Sequence, residues 1–207
     1  MARVSDTRER IMDIAENAIL EKGFSATSID EIIAAAGITK SGFFYHFADK
    51  TALAKAILVR YLEREDRIMD GFFERGRELA EDPLQAFLVG LKLFAEAMYD
   101  LPAAHPGCLV ATYCYQERLF DRDIREMMRE GALNWRRRFL AMIDEIEQRY
   151  PPNDQVDREA LADMINAVVE GGIVMSKTLN DPRSLGDQVM LFRSYVKLLY
   201  ASREAAA

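Results

Sequence analysis

Residues 28–50 read SIDEIIAAAGITKSGFFYHFADK, and in this stretch spacing, capping residues and composition agree on one local structure. Ser28 and Glu31 have the spacing of a capping box, in which the two residues bond to each other's backbone N–H groups at the start of a helix. The apolar run that follows ends at Gly37, a residue type that readily takes the left-handed conformation that terminates helices. The pattern therefore predicts a short helix followed by a tight turn.

A second short helix is predicted directly after this turn. Thr39 is a suitable N-cap, and Phe43 and Phe47, four residues apart, place two large apolar side chains on one face. Two short helices joined by a glycine-containing turn are typical of a helix-turn-helix, whose second helix enters the major groove of DNA. Because such short helices are unstable alone, a helix predicted over residues 6–22 and Phe24 should pack beneath them, which makes a three-helix module.

The residues from Gly37 to Lys50 resemble the DNA-binding domain of TetR-type transcriptional repressors. That family has a glycine, a hydrophobic residue, Ser or Thr, Lys or Arg and small residues, followed by an aromatic cluster that ends in His-Phe and a lysine three residues later. The resemblance covers roughly the first 60 residues, since Gly23, Phe24, Thr27 and Ser28 also match.

One position departs from the family pattern. Phe44 stands where the family usually has a tyrosine, and phenylalanine has no hydroxyl to donate to a phosphate. Either the neighbouring Tyr45 makes that contact or the contact is absent. For Phe44 and Ser41 taken singly, a structural role in an ordinary helical domain stays open.

The expected DNA interface combines short donors for phosphates with longer side chains for bases. Lys40 and Ser41 begin the second helix and suit base edges, lysine to guanine being a common pairing, and Gly42 lets the backbone come close to DNA. The residues expected at the interface are Thr27, Ser28, Thr39, Lys40, Ser41, Gly42, Phe44, Tyr45, His46 and Lys50.

Composition limits the class of protein. The 207 residues weigh 23.6 kDa and are 50% hydrophobic, which suits one or two globular domains. No apolar run approaches the roughly 18 residues of a membrane span, and the N-terminal residues carry charges where a secretion signal would be apolar. Cys108 and Cys114 lack the spacing of a disulfide framework or a metal site. We expect a cytoplasmic protein with no membrane contact, no metal and no cofactor.

The net charge of −7 at pH 7 is unusual for a protein that binds a polyanion. Residues 1–60 carry eight basic and eight acidic side chains, whereas residues 61–207 carry 19 basic and 26 acidic ones. The acidity therefore belongs to the C-terminal part, and an N-terminal module near neutrality can bind DNA if its cations point one way. The candidate cations are Lys40, Lys50, Arg3, Arg8 and Lys22.

Further helices are predicted over residues 50–77, from Pro83, and over residues 108–117, 121–150, 157–179 and 185–202, with a loop at residues 100–107. The predicted fold is all-α: a three-helix DNA-binding module with a helix-turn-helix, followed by a C-terminal helical bundle for ligand binding and dimerisation. The predicted division is residues 1–52 for DNA binding and residues 53–207 for effector binding and dimerisation.

The resemblance implies that the C-terminal half binds a small-molecule effector between its helices and dimerises through its last two helices. The candidate effector-binding residues are Phe94, Met98, Tyr99, Cys108, Tyr113, Met128, Trp135 and Phe139. The candidate dimer residues are Ala162, Ile165, Val169, Gly172, Ile173, Tyr195 and Leu199. For both sets, a role in the internal core stays open, because apolar side chains at helical spacing are frequent in helix bundles.

Cys108 is a special case among the effector candidates. It follows Pro106 and Gly107 at the predicted start of a helix, where the helix dipole lowers the pKa of a thiol. The run of Gly107, Cys108 and Leu109 also resembles the corresponding turn in the electrophile- and oxidant-responsive branch of the family. A small core cysteine is the alternative interpretation.

Two functions remain at this point. The first is a homodimeric, ligand-responsive repressor that binds operator DNA and is released by a small-molecule effector. The alternative is a helical-bundle enzyme that uses Cys108 or carboxylates, although the sequence has neither a Glu-x-x-His pair for a di-iron site nor a metal-spaced Cys/His cluster.

Overall fold

The computed structural model describes the backbone of residues 2–201 and the side chains of residues 6–201. Over these residues the chain is all helical, as predicted. A short 3-10 turn, Glu117–Leu119, precedes the seventh helix. The helices are α1 (Ala2–Lys22), α2 (Ile29–Ala36), α3 (Lys40–His46), α4 (Lys50–Leu79), α5 (Pro83–Tyr99), α6 (Leu109–Cys114), α7 (Arg122–Glu147), α8 (Arg158–Leu179) and α9 (Ser184–Leu199).

Three predicted helices are longer than the observed ones. The helix predicted over residues 108–117 stops after six residues at Cys114, and the one predicted to reach residue 150 ends at Glu147. The last helix ends at Leu199, whereas Ser202, its predicted end, lies outside the described residues. Helix ends fray and depend on capping contacts that a hydrophobic period does not encode, so these differences are of the usual kind.

The chain forms two compact units. The first holds the described residues up to Arg64 together with Pro106–Glu130, and the second holds Glu65–His105 and the described residues from Gly131 onward. The functional boundary predicted after residue 52 falls inside α4. The first unit extends beyond it, to Arg64.

Aromatic packing joins α6 to the N-terminal helices within the first unit. The ring centroid of Phe120 lies 4.6 Å from that of Phe24 and 4.4 Å from that of Tyr113. The buried Tyr113 hydroxyl donates to the carbonyl of Ala54 at 3.2 Å, and burial raises the pKa of this phenol. The residues around α6 therefore belong to the core that supports the helix-turn-helix.

An ion-pair cluster links α1 to α4 in the same unit. The carboxylate of Glu16, which is buried, lies 2.8 Å from Arg60 Nη2 and 2.7 Å from Arg64 Nη2. Arg60 Nη1 also lies 2.8 Å from the carboxylate of Asp13, which is exposed. Glu16 thus accepts charge-assisted hydrogen bonds from two arginines in a water-poor position.

Replacing Glu16 with glutamine should lower the free energy of unfolding by about 1.5–3 kcal/mol, the usual contribution of hydrogen bonds to a charged group. The amide keeps the shape of the side chain but leaves both guanidinium groups without their buried counter-charge. Urea denaturation followed by circular dichroism measures the loss. Asp13→Asn is the matched control, because its exposed pair with Arg60 is screened by water. Equal losses in the two variants would show that the buried position of Glu16 does not matter.

The second unit is held by close helix contacts at small residues. A Cβ placed on Gly172 of α8 would lie 2.8 Å from Leu185 Cδ1 and 3.0 Å from Leu185 Cα at the start of α9. A Cβ on Gly186 would lie 2.4 Å from the ring of Tyr99, whose hydroxyl donates to Asp187 at 2.7 Å. These glycines let α8 and α5 approach α9 closely.

Candidate nucleic-acid interface

The predicted end caps of both short helices are confirmed. Ser28 Oγ accepts from the Glu31 N–H at 3.2 Å, and Thr39 Oγ1 accepts from the Gly42 N–H at 3.1 Å. Gly37 has a φ of 62° and donates its N–H to carbonyls of the last turn of α2. The turn therefore has the geometry of a helix-turn-helix, with α3 as its second helix.

Of the two hydrogen bonds that define a capping box, the predicted pair forms the one from the Glu31 N–H to Ser28 Oγ. The Glu31 carboxylate accepts from Lys22 at 2.5 Å, and this hydrogen bond lowers the pKa of Glu31. Lys22, a candidate cation for DNA, is therefore engaged in an exposed ion pair with α2.

Helix α3 buries one face in the first unit. Phe43 and Phe47 are buried with ring centroids 5.9 Å apart, as their spacing predicted. There is also a local steric reason for glycine at position 42: a Cβ there would lie 3.3 Å from Thr39 Oγ1. Glycine at this position leaves room for the hydroxyl that caps the helix.

The opposite face of α3 is open to solvent. Lys40 and Ser41 are exposed, Phe44 is 44% exposed, and Tyr45 is 75% exposed. No carboxylate of the residues with described side chains lies within salt-bridge distance of the Lys40 ammonium. Ser41 Oγ lies 3.0 Å from Thr39 Oγ1, so both hydroxyls lie together at the helix start. This face offers a cation, two hydroxyls, a phenol and one apolar ring.

Two predicted phosphate contacts have other partners in this structure. Thr27 is buried, and its hydroxyl donates to the carbonyl of Gly23 at 3.0 Å. The Lys50 ammonium donates to the carbonyl of Phe24 and lies 4.1 Å from the centroid of that ring. Burial lowers the pKa of Lys50. Both side chains hold the turn between α1 and α2.

The remaining predicted residues lie at the margin of the exposed face. Ser28 is exposed with its oxygen used as the cap of α2, and His46 is half-buried with its ring centroid 5.1 Å from that of Tyr45. Arg8 lies over the ring of Phe47 at 5.2 Å, and its guanidinium is 3.5 Å from the carboxylate of Glu9. The side chain of Arg3 lies outside the described residues.

The predicted effector-binding residues are divided between the two units. Cys108, Tyr113 and Met128 lie in the first unit, where Tyr113 and Met128 are core. The second unit holds the other five. Phe94 and Phe139 are buried there, and the half-buried ones are Met98, Tyr99 and Trp135.

The second unit also contains a half-open cavity of about 230 Å³. It lies among the end of α4, the start of α5 and the end of α7, and none of the predicted effector residues lines it. An aromatic and apolar floor is bordered by one guanidinium and two carboxylates. The lining residues are Phe73, Arg77, Ala80, Glu81, Pro83, Ala86, Phe87, Met142 and Glu145.

Cys108 is the N-cap residue of α6. Its Sγ accepts from the Ala111 N–H at 3.4 Å, and the residue is half-buried, whereas Cys114 is exposed. The sulfur therefore lies at a helix start, as expected, although this helix has only six residues.

Most of the predicted dimer residues face the interior of their own unit. Ala162, Ile165, Gly172, Ile173 and Leu199 are buried against other helices of the second unit, Val169 is half-buried, and Tyr195 is exposed. Apolar residues occupy both faces of α8, and the predicted residues lie mainly on the inward one. Its outward face carries Met164, Val174, Met175 and Leu179, and α9 exposes Leu191, Tyr195 and Leu198.

Neither a membrane-spanning helix nor a metal-binding cluster occurs among the described residues. None of the helices in the described part of the chain is both long enough and apolar enough to cross a bilayer. Likewise, no group of three or more His, Cys, Asp or Glu side chains within residues 6–201 is arranged to hold a metal ion.

The chain matches known proteins over this interface and beyond it. The family model described as "Bacterial regulatory proteins, tetR family" matches residues 11–57, which span the C-terminal half of α1, all of α2 and α3 and the start of α4. Among curated proteins, the chain is 24% identical over 187 residues to the "Uncharacterized HTH-type transcriptional regulator YxaF" of Bacillus subtilis, covering 89% of this chain and 92% of the relative. It is 27% identical over 162 residues to the "Transcriptional regulator AcuR" of Cereibacter sphaeroides, covering 77% and 71% respectively.

Solved structures agree on the fold. A TetR transcriptional regulator from Chloroflexus aurantiacus superposes with a TM-score of 0.77 at 23% identity, covering 95% of this chain and 97% of the other. The match of residues 11–57 to the family model identifies the helix-turn-helix as a DNA-binding domain of the tetR family, and over most of its length the chain is similar to transcriptional regulators.

Proposed function

We propose that the protein is a homodimeric transcriptional repressor that binds operator DNA through α3 and leaves it when a small-molecule effector binds. The observation that carries the DNA-binding part is the outward face of α3. The side chains exposed on that face are those of Lys40, Ser41, Phe44 and Tyr45. On the opposite face, Phe43 is buried in the core of the first unit. A short helix that buries an aromatic side chain on one face and carries a lysine at its N-terminus suits the major groove.

The proposed dimer forms through the outward apolar side chains of α8 and α9. Seven large apolar residues on these two adjacent helices are exposed in the single chain, a patch of the kind that marks protein interfaces. Gly171 lies on the open side of α8, where a Cβ would have no neighbour within 4 Å. The patch comprises Met164, Val174, Met175, Leu179, Leu191, Tyr195 and Leu198.

The half-open cavity is the proposed effector site. Its floor includes Phe73, Phe87 and Met142, and its border includes Arg77 and Glu145, whose charged groups lie 3.9 Å apart. An apolar floor with a few charged groups at the border is typical of small-molecule sites. We place the protein in the cytoplasm, where its DNA partner is found.

Binding to DNA by the full-length protein is the decisive test of this function. In gel-shift or anisotropy titrations with the promoter region next to its own gene, we expect a sequence-specific complex that weakens as salt is raised. A helical-bundle enzyme that uses Cys108 or carboxylates would give no such complex. Absence of a specific, salt-sensitive complex would therefore contradict the proposed function.

Lys40→Ala should lower operator affinity by about 5- to 150-fold and relax the base preference at one operator position per half-site. The reason is that Lys40 lies exposed at the start of α3 without a competing carboxylate. Competition anisotropy against single-base variants of the operator measures both effects.

Lys50→Ala is the matched comparison, because its ammonium is held by Phe24. We expect this variant to lower the melting temperature and to weaken all DNA sequences alike, without changing the preferred base at any position. If Lys40→Ala and Lys50→Ala lose sequence preference equally, the assignment of Lys40 to base readout is wrong.

A further inference from the structure

Phe44 is an apolar side chain in the middle of the face that the proposed function directs toward DNA. It is 44% exposed, and its ring lies edge-on to buried Phe43, with centroids 5.4 Å apart and an interplanar angle of 85°. The contact with Phe43 restrains the ring, so its outer edge is presented in a defined direction. The side chain offers no hydrogen-bond donor or acceptor to a phosphate or to a polar base edge.

The position of Phe44 relative to Lys40 limits what the ring can reach. The two residues are four apart on α3 and therefore lie on the same face of the helix, one turn apart. Their Cα atoms are separated by about 6 Å along the helix axis. The base-pair rise is about 3.4 Å, so a helix running along the groove brings the two side chains to sites one or two base pairs apart.

Only one alkyl group projects from the major-groove edge of B-DNA. It is the 5-methyl group of thymine, whereas cytosine has only a hydrogen at the same ring position and the remaining groups there are mainly polar donors and acceptors. We infer that Phe44 is a specificity-determining residue that contacts the 5-methyl group of a thymine in the operator, one or two base pairs from the position read by Lys40. The inference rests on the proposed function and adds to it the chemistry of one contact.

Replacing thymine with uracil in the duplex removes this methyl group and changes nothing else at the groove edge. The probe is an operator obtained by selecting random-sequence duplex DNA on the full-length protein, with each thymine then replaced singly by deoxyuridine. Burying one methyl-sized group contributes about a fourfold change in affinity. We expect wild type to lose about fourfold at one thymine per half-site, within two base pairs of the position at which Lys40→Ala relaxes preference.

The variants assign this effect to Phe44. In Phe44→Ala, the ratio of affinities for thymine and uracil at that position should fall to about 1, because the apolar partner is gone. Phe44→Leu keeps an apolar side chain and should retain part of the ratio. Tyr45→Phe removes only a neighbouring hydroxyl, so any loss of overall affinity should be equal for thymine and uracil and the ratio between them should stay at the wild-type value. Because Phe44 is only 44% exposed and packs on Phe43, melting curves should be recorded beside the titrations, and we expect every variant to stay folded at the temperature of the binding assay.

Three results would overturn the inference. One is that no thymine in the selected operator is sensitive to uracil, and another is that Phe44→Ala keeps the wild-type ratio at the sensitive position. Both leave DNA binding itself intact. The third is that selection enriches no sequence at all, which contradicts the proposed function together with the inference.

Discussion

Replacing Leu191 and Leu198 together with glutamate is expected to convert the protein into a folded monomer that no longer binds operator DNA. The two side chains are 62% and 72% exposed in the single chain and lie seven residues apart on one face of α9. In the proposed dimer, the substitutions would place four carboxylates in an apolar interface without partners, where burying unpaired charge is strongly unfavourable. The folded single chain tolerates the same changes because these positions face water.

Light scattering after size exclusion measures the expected change, from twice 23.6 kDa to 23.6 kDa. Anisotropy with a two-half-site operator should show affinity reduced by orders of magnitude, because paired half-sites need two copies of α3. Leu79→Glu is the control: this leucine is 54% exposed in the same unit but belongs to α4, which is not one of the two helices that carry the patch. A double variant that stays dimeric would refute the proposed interface.

Gly172→Leu is expected to destabilise the fold by about 3 kcal/mol or more, the upper range for overpacking in a core. Leu185 Cα lies only 3.0 Å from the position of an added Cβ, so the clash involves the backbone of α9 and not the movable end of a side chain. For a chain of this size, such a loss lowers the melting temperature by roughly 6–12 °C. Thermal denaturation followed by circular dichroism is the measurement.

For the neighbouring Gly171, we expect a substitution to change stability in the opposite direction. Within its own chain a Cβ on Gly171 meets nothing within 4 Å, so in the monomeric double-glutamate variant Gly171→Ala should raise helix stability by about 0.5–1 kcal/mol. Gly172→Ala, in contrast, should lower the melting temperature. If the two alanine variants shift it in the same direction, then the packing of α8 described above is incorrect.

The helix-turn-helix was predictable because its signals are local. Ser28, Gly37 and Thr39 act on backbone groups within three or four residues, so their types and spacing determine the caps directly. Phe43 and Phe47 lie on the inner face for the same reason, since helical periodicity decides which side chains point together. This part of the site needed no knowledge of the remaining chain.

The roles of Thr27 and Lys50 depend on contacts that local spacing does not encode. The Lys50 ammonium reaches the carbonyl of Phe24, 26 residues earlier, and Thr27 is turned inward to the carbonyl of Gly23. A hydroxyl and an amine near a DNA-binding helix suit phosphates equally well until the fold directs them elsewhere. Whether either side chain also contacts DNA stays a prediction.

The outward face of α8 was not predictable from periodicity. Ile165, Gly172 and Ile173 form one apolar stripe, and Val174 and Met175 belong to another, so both faces satisfy the pattern of a buried helix. Only the position of α9, with Leu185 against Gly172, decides which stripe is internal. The same limit applies to the effector candidates, because an aromatic residue at helical spacing does not indicate which unit it will join.

The attachment of residues around α6 to the N-terminal helices bears on how this regulator can be recombined with others. Gln116 accepts from the Ser25 N–H at 2.9 Å, and Phe120 and Tyr113 pack with Phe24, all within the first unit. A hybrid protein that joined only residues 1–52 to a foreign sensor would lose these partners and expose the ring of Phe24 to water. A working chimera needs residues 106–130, or a foreign segment of matching shape, to accompany the DNA-reading helices, although 41 residues separate the two parts of the unit along the chain.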